Sequence, residues 1–384
     1  MRKLNVGAAG LGRAFALMAP TLAGDRRVAL VAGADPRPEA RRRFARDFGA
    51  RAYASVEELC ADAAVEAVYV ATPHELHAAH ACLAASRGKH VLVEKPMALA
   101  VEECRAMVEA ARKAGVRLVA GHSHSFDAPI AATAKLVASG RFGRLRMISA
   151  LNYTDFLYRP RRAEELDPAK GGGAVMNQAA HHVDVVRLLA GGVVKSVRAM
   201  TGAWDPARPV EGAYAALLTL ADGAFATIGY SGYAHFDADE LAGWIGEGGQ
   251  RKDPRRHGQA RAALGGDEAK LKAARNYGGG RFAAPPPARA HPHFGLLVAS
   301  CEKADLRPTP GGVWIYGDRR KRFAKLAPPA LARRGVIDEL YAAVREARPP
   351  LHDGAWGLAT VQVCLAMLRS AREGKEIPLP SPTA

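Results

Sequence analysis

The chain has 384 residues, of which 49% are hydrophobic and 24% charged, and its net charge is +16. That length allows a large buried core divided between two domains. The balance excludes a disordered chain, and no apolar run reaches the roughly 18 residues a membrane span needs. Gly7, Gly10 and Gly12 interrupt the first apolar stretch, so it does not read as a signal peptide. Cys60, Cys82, Cys104, Cys301 and Cys364 form no CxxC pair, which predicts reduced thiols in a cytoplasmic protein without disulfides. The excess of positive charge reads as a basic surface or as steering of anionic small molecules. No helix-turn-helix, zinc-finger or aromatic RNA-binding pattern is present, so neither a nucleic-acid nor a membrane partner is expected.

From the N-terminus, strands and helices alternate with short links. Strands are predicted at Leu4–Gly7, Val28–Ala34, Arg51–Tyr53, Ala67–Ala71, His90–Val93 and Arg117–Gly121, with helices at Pro38–Phe48, Leu76–Arg87 and Val101–Ala114. Uninterrupted apolar strands in this order predict a doubly wound parallel sheet over residues 1–124. The rhythm then changes. A helix near Ile130–Ser139 leads to a strand at Leu145–Asn152, and Gly171–Gly173 precede a helix from Val175 to Leu189. Strands at Val194–Ala203, Ala213–Leu220 and Ala224–Ser231 follow without intervening helices. This predicts an α+β domain over 125–352 with an open, mainly antiparallel sheet. Within it, 247–293 reads as an irregular basic insert with ten Lys/Arg against four Asp/Glu, including Gly278–Gly280 and Pro285–Pro287. A strand at Gly312–Tyr316, a helix at Val336–Ala347 and a closing helix at Trp356–Glu373 complete the chain, with 353–384 as C-terminal helix and tail.

The chemistry is concentrated in two places. Gly10-Leu11-Gly12-Arg13-Ala14-Phe15 follows the first strand and opens a helix. Bare backbone there suits a pyrophosphate at the helix N-terminus, although Phe15 stands where the fingerprint's third glycine would be. Asp35 ends the next strand and suits the ribose hydroxyls of NAD; Arg37, followed by Arg41, Arg42 and Arg43, leaves NADP tolerated. Lys95, in Glu94-Lys95-Pro96, lies just past a strand end, where desolvation would lower its pKa and make it a proton-transfer group. In the second domain, Asn177, His181 and Asp184 are spaced to share one helix face, with His181 as proton carrier and the other two in support. Arg159, Arg161 and Arg162 could clamp carboxylates. His74-Glu75-Leu76-His77 misses the HExxH spacing, and His122/His124 and His291/His293 lack carboxylate or cysteine partners in the sequence, so no metal site is expected.

With these residues in view, the chain resembles the glucose–fructose oxidoreductase / inositol dehydrogenase (Gfo/Idh/MocA) family over nearly its whole length. The landmarks are the Gly7–Gly12 turn, Ala71-Thr72-Pro73 with His77, Glu94-Lys95-Pro96, Gly171–Asp184 and Trp356-Gly357. The resemblance implies a Rossmann domain followed by an α/β domain, and a homo-oligomer (dimer or tetramer). It assigns cofactor contacts to Gly7, Gly10, Leu11, Gly12, Arg13, Ala14, Asp35, Arg37, Ala71, Thr72, Pro73, His74, His77, Glu94, Lys95 and Pro96, and makes Lys95 and His181 the proton-handling pair. Asn177, Ala179 and His74 stand where the family usually has Asp, Gly and Asn. A closer similarity lies in Gly121–Asp127, Thr154–Arg162 and Tyr230–Asp237. It implies NAD(P)-dependent oxidation of an anionic aromatic cis-dihydrodiol of phthalate type to the catechol, with His124, Arg159, Arg161 and Arg162 against the substrate. A sugar or cyclitol dehydrogenase of the same family and a non-catalytic NAD(P)-binding regulator are the alternatives.

Overall fold

The structure is a computed structural model that describes residues 2–121, 123–256, 258–280 and 288–380. His122 and Pro285–Pro287, both named above, lie outside the described residues. The chain divides into two compact units. The first comprises Met1–His122, Asp267–Pro286 and Arg333–Val361; the second comprises Ser123–Gly266, Pro287–Ala332 and Gln362–Ala384. The chain therefore passes between units several times; the sequence reading divides it at 124/125 and at 352/353.

Among the described residues the first unit holds a six-stranded parallel sheet: β1 (Leu4–Ala9), β2 (Val28–Ala34), β3 (Arg51–Tyr53), β4 (Ala67–Val70), β5 (His90–Val93) and β6 (Leu118–Ala120), in the order β3-β2-β1-β4-β5-β6. This is the doubly wound Rossmann arrangement. The order reverses between β1 and β4, which opens a crevice at the carboxyl ends of those strands. Strands β1, β4, β5 and β6 are buried on both faces by apolar side chains such as Leu4, Val6, Val68, Leu92 and Val119, and β3 at the margin is partly exposed. At the position of the missing third glycine, Phe15 enters an aromatic cluster with Phe44, Phe48 and Tyr277 at ring separations of 5.8, 6.1 and 5.1 Å. Gly33 on β2 makes room for it: a Cβ there would lie 2.8 Å from the Phe44 ring.

The second unit is built on a nine-stranded sheet among the described residues. Its strands are β7 (Leu145–Tyr153), β8 (Val194–Gly202), β9 (Ala213–Leu220), β10 (Phe225–Ser231), β11 (Leu296–Cys301), β12 (Ala304–Thr309), β13 (Gly312–Gly317), β14 (Lys321–Lys325) and β15 (Ile377–Pro378). They run in the order β14-β13-β12-β11-β7-β10-β9-β8-β15. Only the β7–β10 pair is parallel. One correction concerns the insert, which is not wholly irregular. It contains helices at Gln259–Ala262 and Glu268–Arg275, the latter capped by Asp267 accepting from Lys270 N–H. Another concerns Val175–Leu189, which is a π-helical turn over Val175–Ala179 followed by an α-helix over Ala180–Leu189.

Overpacking a core typically costs about 1–3 kcal/mol. Gly33→Val is accordingly expected to lower the thermal midpoint of unfolding by several degrees, and a melt matching wild type would show that the Phe44 ring does not bear on this strand.

Candidate active site

The glycine turn is shaped by close backbone approach. Gly10 has φ +89°, and a Cβ on it would lie 2.7 Å from the Ala71 carbonyl oxygen and 2.9 Å from the Thr72 nitrogen. Only glycine lets the end of β1 pass this close to the end of β4. Gly12 leads into the helix Arg13–Gly24 without a side-chain cap, and a Cβ on it would meet nothing within 4 Å. An uncapped helix N-terminus beside open space fits a dinucleotide pyrophosphate. Arg13 is exposed and Ala14 half-buried beside it, while Leu11 is buried. Gly7 answers a packing need. It sits within β1, and a Cβ there would press on Leu59 and Val65 at 3.0 and 3.1 Å.

Asp35 closes this turn. Its carboxylate accepts from the Leu11 N–H at 2.9 Å and from the Arg37 N–H at 2.9 Å. The Arg37 guanidinium bridges both oxygens, at 2.9 and 3.0 Å, and also donates to the Leu11 carbonyl at 2.8 Å. The neighbouring arginines are engaged as well. Arg41 donates to the Asp35 and Pro36 carbonyls, and Arg43 to Asp47.

The loop that carries Lys95 is fixed on several sides. His77 is fully buried, with Nδ1 2.9 Å from the Pro96 carbonyl and Nε2 2.9 Å from the Thr72 carbonyl. It thus ties the loop after β4 to the loop after β5. Burial lowers its pKa, and the two carbonyls oppose that shift by accepting from the protonated ring. Glu94 also turns inward, accepting from the buried Tyr69 hydroxyl at 2.5 Å with Arg333 3.7 Å away. Burial, with the Glu94 charge, pushes the Tyr69 pKa well up, so it stays a donor. The Lys95–Pro96 peptide is cis. A Cβ on Gly357 would meet Met97 Sδ at 2.6 Å, so this glycine lets the last helix seat beside the loop. Lys95 itself is half-buried. The Thr72 hydroxyl lies 3.0 Å from His80 Nδ1, and His74 lies edge-on to His77 at 5.5 Å.

In the second unit, Ser123 Oγ lies 3.3 Å from His181 Nδ1, and Ser125 donates a short bond to the buried Asp184. His124 is held by Asp127 at 2.7 Å and meets His181 edge-on at 4.8 Å. Asn177 donates from its amide to the Gly171 and Gly173 carbonyls, both at 2.8 Å, and so orders the glycine turn that precedes it. That geometry follows from the π-helical turn, which breaks the regular spacing on which a shared face was predicted.

Sequence reasoning missed the centre of this cluster. Phe294 contacts His124, His181, His182 and Tyr230 at ring separations of 4.9, 5.0, 4.7 and 6.2 Å. Its signal was the His291-Pro292-His293-Phe294 run, weighed only for metal. Both histidines serve backbone carbonyls there, those of Ala327 and Ile245. Glu247 was also missed. Burial would raise its pKa, but Arg159, then His124, hold it below the usual carboxylate value. Arg159 lies between Asp155 at 2.7 Å and Glu247 at 3.3 Å, and Arg162 sits 3.6 Å from Glu165. Arg161 lays its guanidinium 3.9 Å over the Phe156 ring, and burial lowers its pKa to about 10.

Comparison with known proteins places this geometry. A model of the oxidoreductase family with NAD-binding Rossmann fold, GFO/IDH/MocA, matches residues 4–122, and that family's C-terminal domain model matches 130–250. The chain is 47% identical over 377 residues to a 1-carboxy-3-chloro-3,4-dihydroxycyclohexa-1,5-diene dehydrogenase of Comamonas testosteroni, covering 96% of this chain and 95% of the relative. A structure from Bordetella bronchiseptica RB50, described provisionally as a dehydrogenase, superposes with TM-score 0.93 at 43% identity, covering 98% of this chain and all of that one. The WlbA dehydrogenase of Bordetella pertussis, solved with NADH and UDP-GlcNAcA, superposes with TM-score 0.69 at 26% identity, covering 99% of this chain and all of that one.

His182 gives a test of the second unit's interior. It is buried against Tyr214, and burial, then the His124 charge, lower its pKa from 6.5 to about 3. The folded ring stays neutral, while the unfolded chain takes up a proton below its ordinary pKa. Stability from this group is therefore full above about pH 6.5 and falls as pH drops toward 3, by up to about 1.4 kcal/mol per pH unit. Denaturant titrations at pH 7 and pH 5 should show a smaller loss in His182→Gln than in wild type; equal losses would place the proton elsewhere.

Proposed function

The chain belongs to the Gfo/Idh/MocA oxidoreductase family and is an NAD-binding dehydrogenase, and from that premise we propose that it oxidises a carboxylated cyclohexadiene cis-diol to the corresponding catechol. One observation carries this reading: the glycine turn after β1 and Lys95 after β5 open on the same carboxyl edge of one sheet, two strands apart. At the usual strand spacing that is about 10 Å, a span across the strand-order reversal that suits the two halves of a dinucleotide. The name of the Comamonas relative, with one carboxyl and two hydroxyls on a cyclohexadiene ring, supports the substrate class.

When bound, NAD⁺ supplies the hydride acceptor. The chain's own part is proton transfer and orientation. The neutral amine of Lys95 takes the proton from the carbinol hydroxyl as the carbinol C–H is lost as hydride. The hydroxydienone so formed becomes aromatic by tautomerisation, which drives the reaction forward. His77 and Glu94 act as positioning residues that hold the Lys95 loop. For His181 we propose a second proton-handling role, with Ser123 on Nδ1 and His124 against its ring. A phthalate-type substrate brings two carboxylates. Each of the three arginines already faces a carboxylate, Arg159 Asp155 and Glu247, Arg161 Glu165 at 3.7 Å and Arg162 Glu165 at 3.6 Å; Arg161, the desolvated planar cation over the Phe156 ring, is the one we assign to a substrate carboxylate.

NADH formation against carboxylated and uncarboxylated cyclohexadiene diols, inositols and hexoses tests the reading, and turnover confined to the last two groups would replace it with a sugar or cyclitol dehydrogenase. Lys95→Met is expected to lose about 10²–10⁴-fold in turnover with NAD⁺ affinity unchanged; full turnover in that variant would remove Lys95 from the mechanism. Losing a charged hydrogen-bond partner costs about 1.5–3 kcal/mol, so Arg161→Ala should raise KM for carboxylated diols about tenfold or more while sparing uncarboxylated ones. An equal change for both would discard the carboxylate contact.

A further inference from the structure

The part of the basic insert spanning residues 267–280 packs within the first unit, on the helix Pro38–Phe48 that follows Arg37 and on Phe15 of the helix Arg13–Gly24. Tyr277 anchors it. Its ring meets Phe15 edge-on at 5.1 Å and stacks on Phe48 at 6.2 Å, and its hydroxyl donates to Asp47 at 2.8 Å. Arg43 lies 5.6 Å over the same ring. The next residue, Gly278, has φ +81°, and a Cβ there would lie 2.7 Å from Ala40 Cα. The segment is therefore seated by one aromatic side chain and one glycine that permits backbone contact. Seated this way, the Tyr277 carbonyl accepts from Arg37 Nη1 at 3.4 Å.

That contact completes the restraint of Arg37. Its Nε and Nη2 are engaged by both Asp35 oxygens and by the Leu11 carbonyl, and its Nη1 by Tyr277. A guanidinium has five N–H donors in a fixed plane, so four of the five directions are taken. We propose that residues 267–280 are a cofactor-specificity strap: by holding Arg37 flat against Asp35, they withhold the guanidinium from a 2′-phosphate and make the site select NAD over NADP. The proposal rests on the NAD-binding assignment of this domain and adds which residues discriminate. A 2′-phosphate would meet the Asp35 carboxylate with its arginine partner already engaged and not left to receive it. To recruit Arg37 it would have to break bonds to three partners at once. A 2′-hydroxyl makes no such demand, since it can accept from or donate to the pair as it stands.

The test is calorimetric binding of NAD⁺ and of NADP⁺ to the full-length protein, without substrate. Wild type should bind NAD⁺ at least tenfold more tightly. Gly278→Val, which forces the strap off Ala40 and removes no side chain at the cofactor site, should narrow that ratio at least tenfold by tightening NADP⁺ binding. Adding Arg37→Ala to it should abolish the gain. Tyr277→Ala removes the anchor by a separate route and should act in the same direction if Gly278→Val does not fold. An unchanged NAD⁺/NADP⁺ ratio in a folded strap variant overturns the proposal. Absence of binding by either dinucleotide to wild type would overturn the cofactor assignment, and the proposal with it.

Discussion

The placement of Lys95 depends on a tie made by one buried imidazole. His77 reaches the Thr72 carbonyl with one ring nitrogen and the Pro96 carbonyl with the other. Those carbonyls belong to the loops that leave β4 and β5, so the tie sets the distance between two adjacent strand ends. Polar groups at such depth persist only when partnered. Around the tie, Glu94 is drawn inward by Tyr69 and Arg333, and Met97 is pinned by the helix that Gly357 lets approach. A proton-transfer group loses effectiveness with small displacements, and this loop leaves the backbone of Lys95 little freedom to move.

The two units solve the problem of buried polarity differently. The first neutralises charge locally, with Asp35 and Arg37 forming a closed pair at the end of β2. The second surrounds its histidines with rings. Phe294 packs against three imidazoles and Tyr230, and Tyr230 in turn stacks on Tyr214 at 5.5 Å. Each histidine then has its own polar partner: Ser123 for His181, Asp127 for His124 and Tyr214 for His182. The His182 ring stays neutral through burial while His124, which packs on the same Phe294 ring, carries a carboxylate partner, so chemically identical side chains around one aromatic ring are given distinct environments.

Much of this was legible in the sequence, for physical reasons. Apart from Arg51–Tyr53, the strands of the first sheet are short, mainly apolar runs separated by helical stretches, and the bounds of all six fall within a residue or two of those read from the sequence. β9 and β10 alternate buried and exposed residues along their length, the period that marks a half-buried strand. β14 escaped because Lys321-Arg322-Phe323-Ala324-Lys325 is exposed throughout and is a strand only by pairing with β13. β12 escaped because Asp305, Arg307 and Pro308 break its apolar pattern. At the site, residue types were readable but directions were not. The inward hydrogen bonds of Glu94 with Tyr69 and of His77 with two carbonyls, and the close approach of Leu59 to Gly7, depend on the folded strands and leave no local pattern in the sequence. Phe294 and Glu247 were missed because neither lies in a recognisable spacing, and their partners come from distant strands.

The margins of the nine-stranded sheet carry a consequence of their own. A sheet's outermost strands leave main-chain donors and acceptors free to recruit a foreign strand. Here one margin is β14, whose lysines and arginine would repel a like copy, and the other is β15, whose Pro378 lacks an amide hydrogen to offer. The longest sheet in the protein thus ends on both sides in chemistry that discourages fibre growth, which lets it stay wide without becoming a template for aggregation.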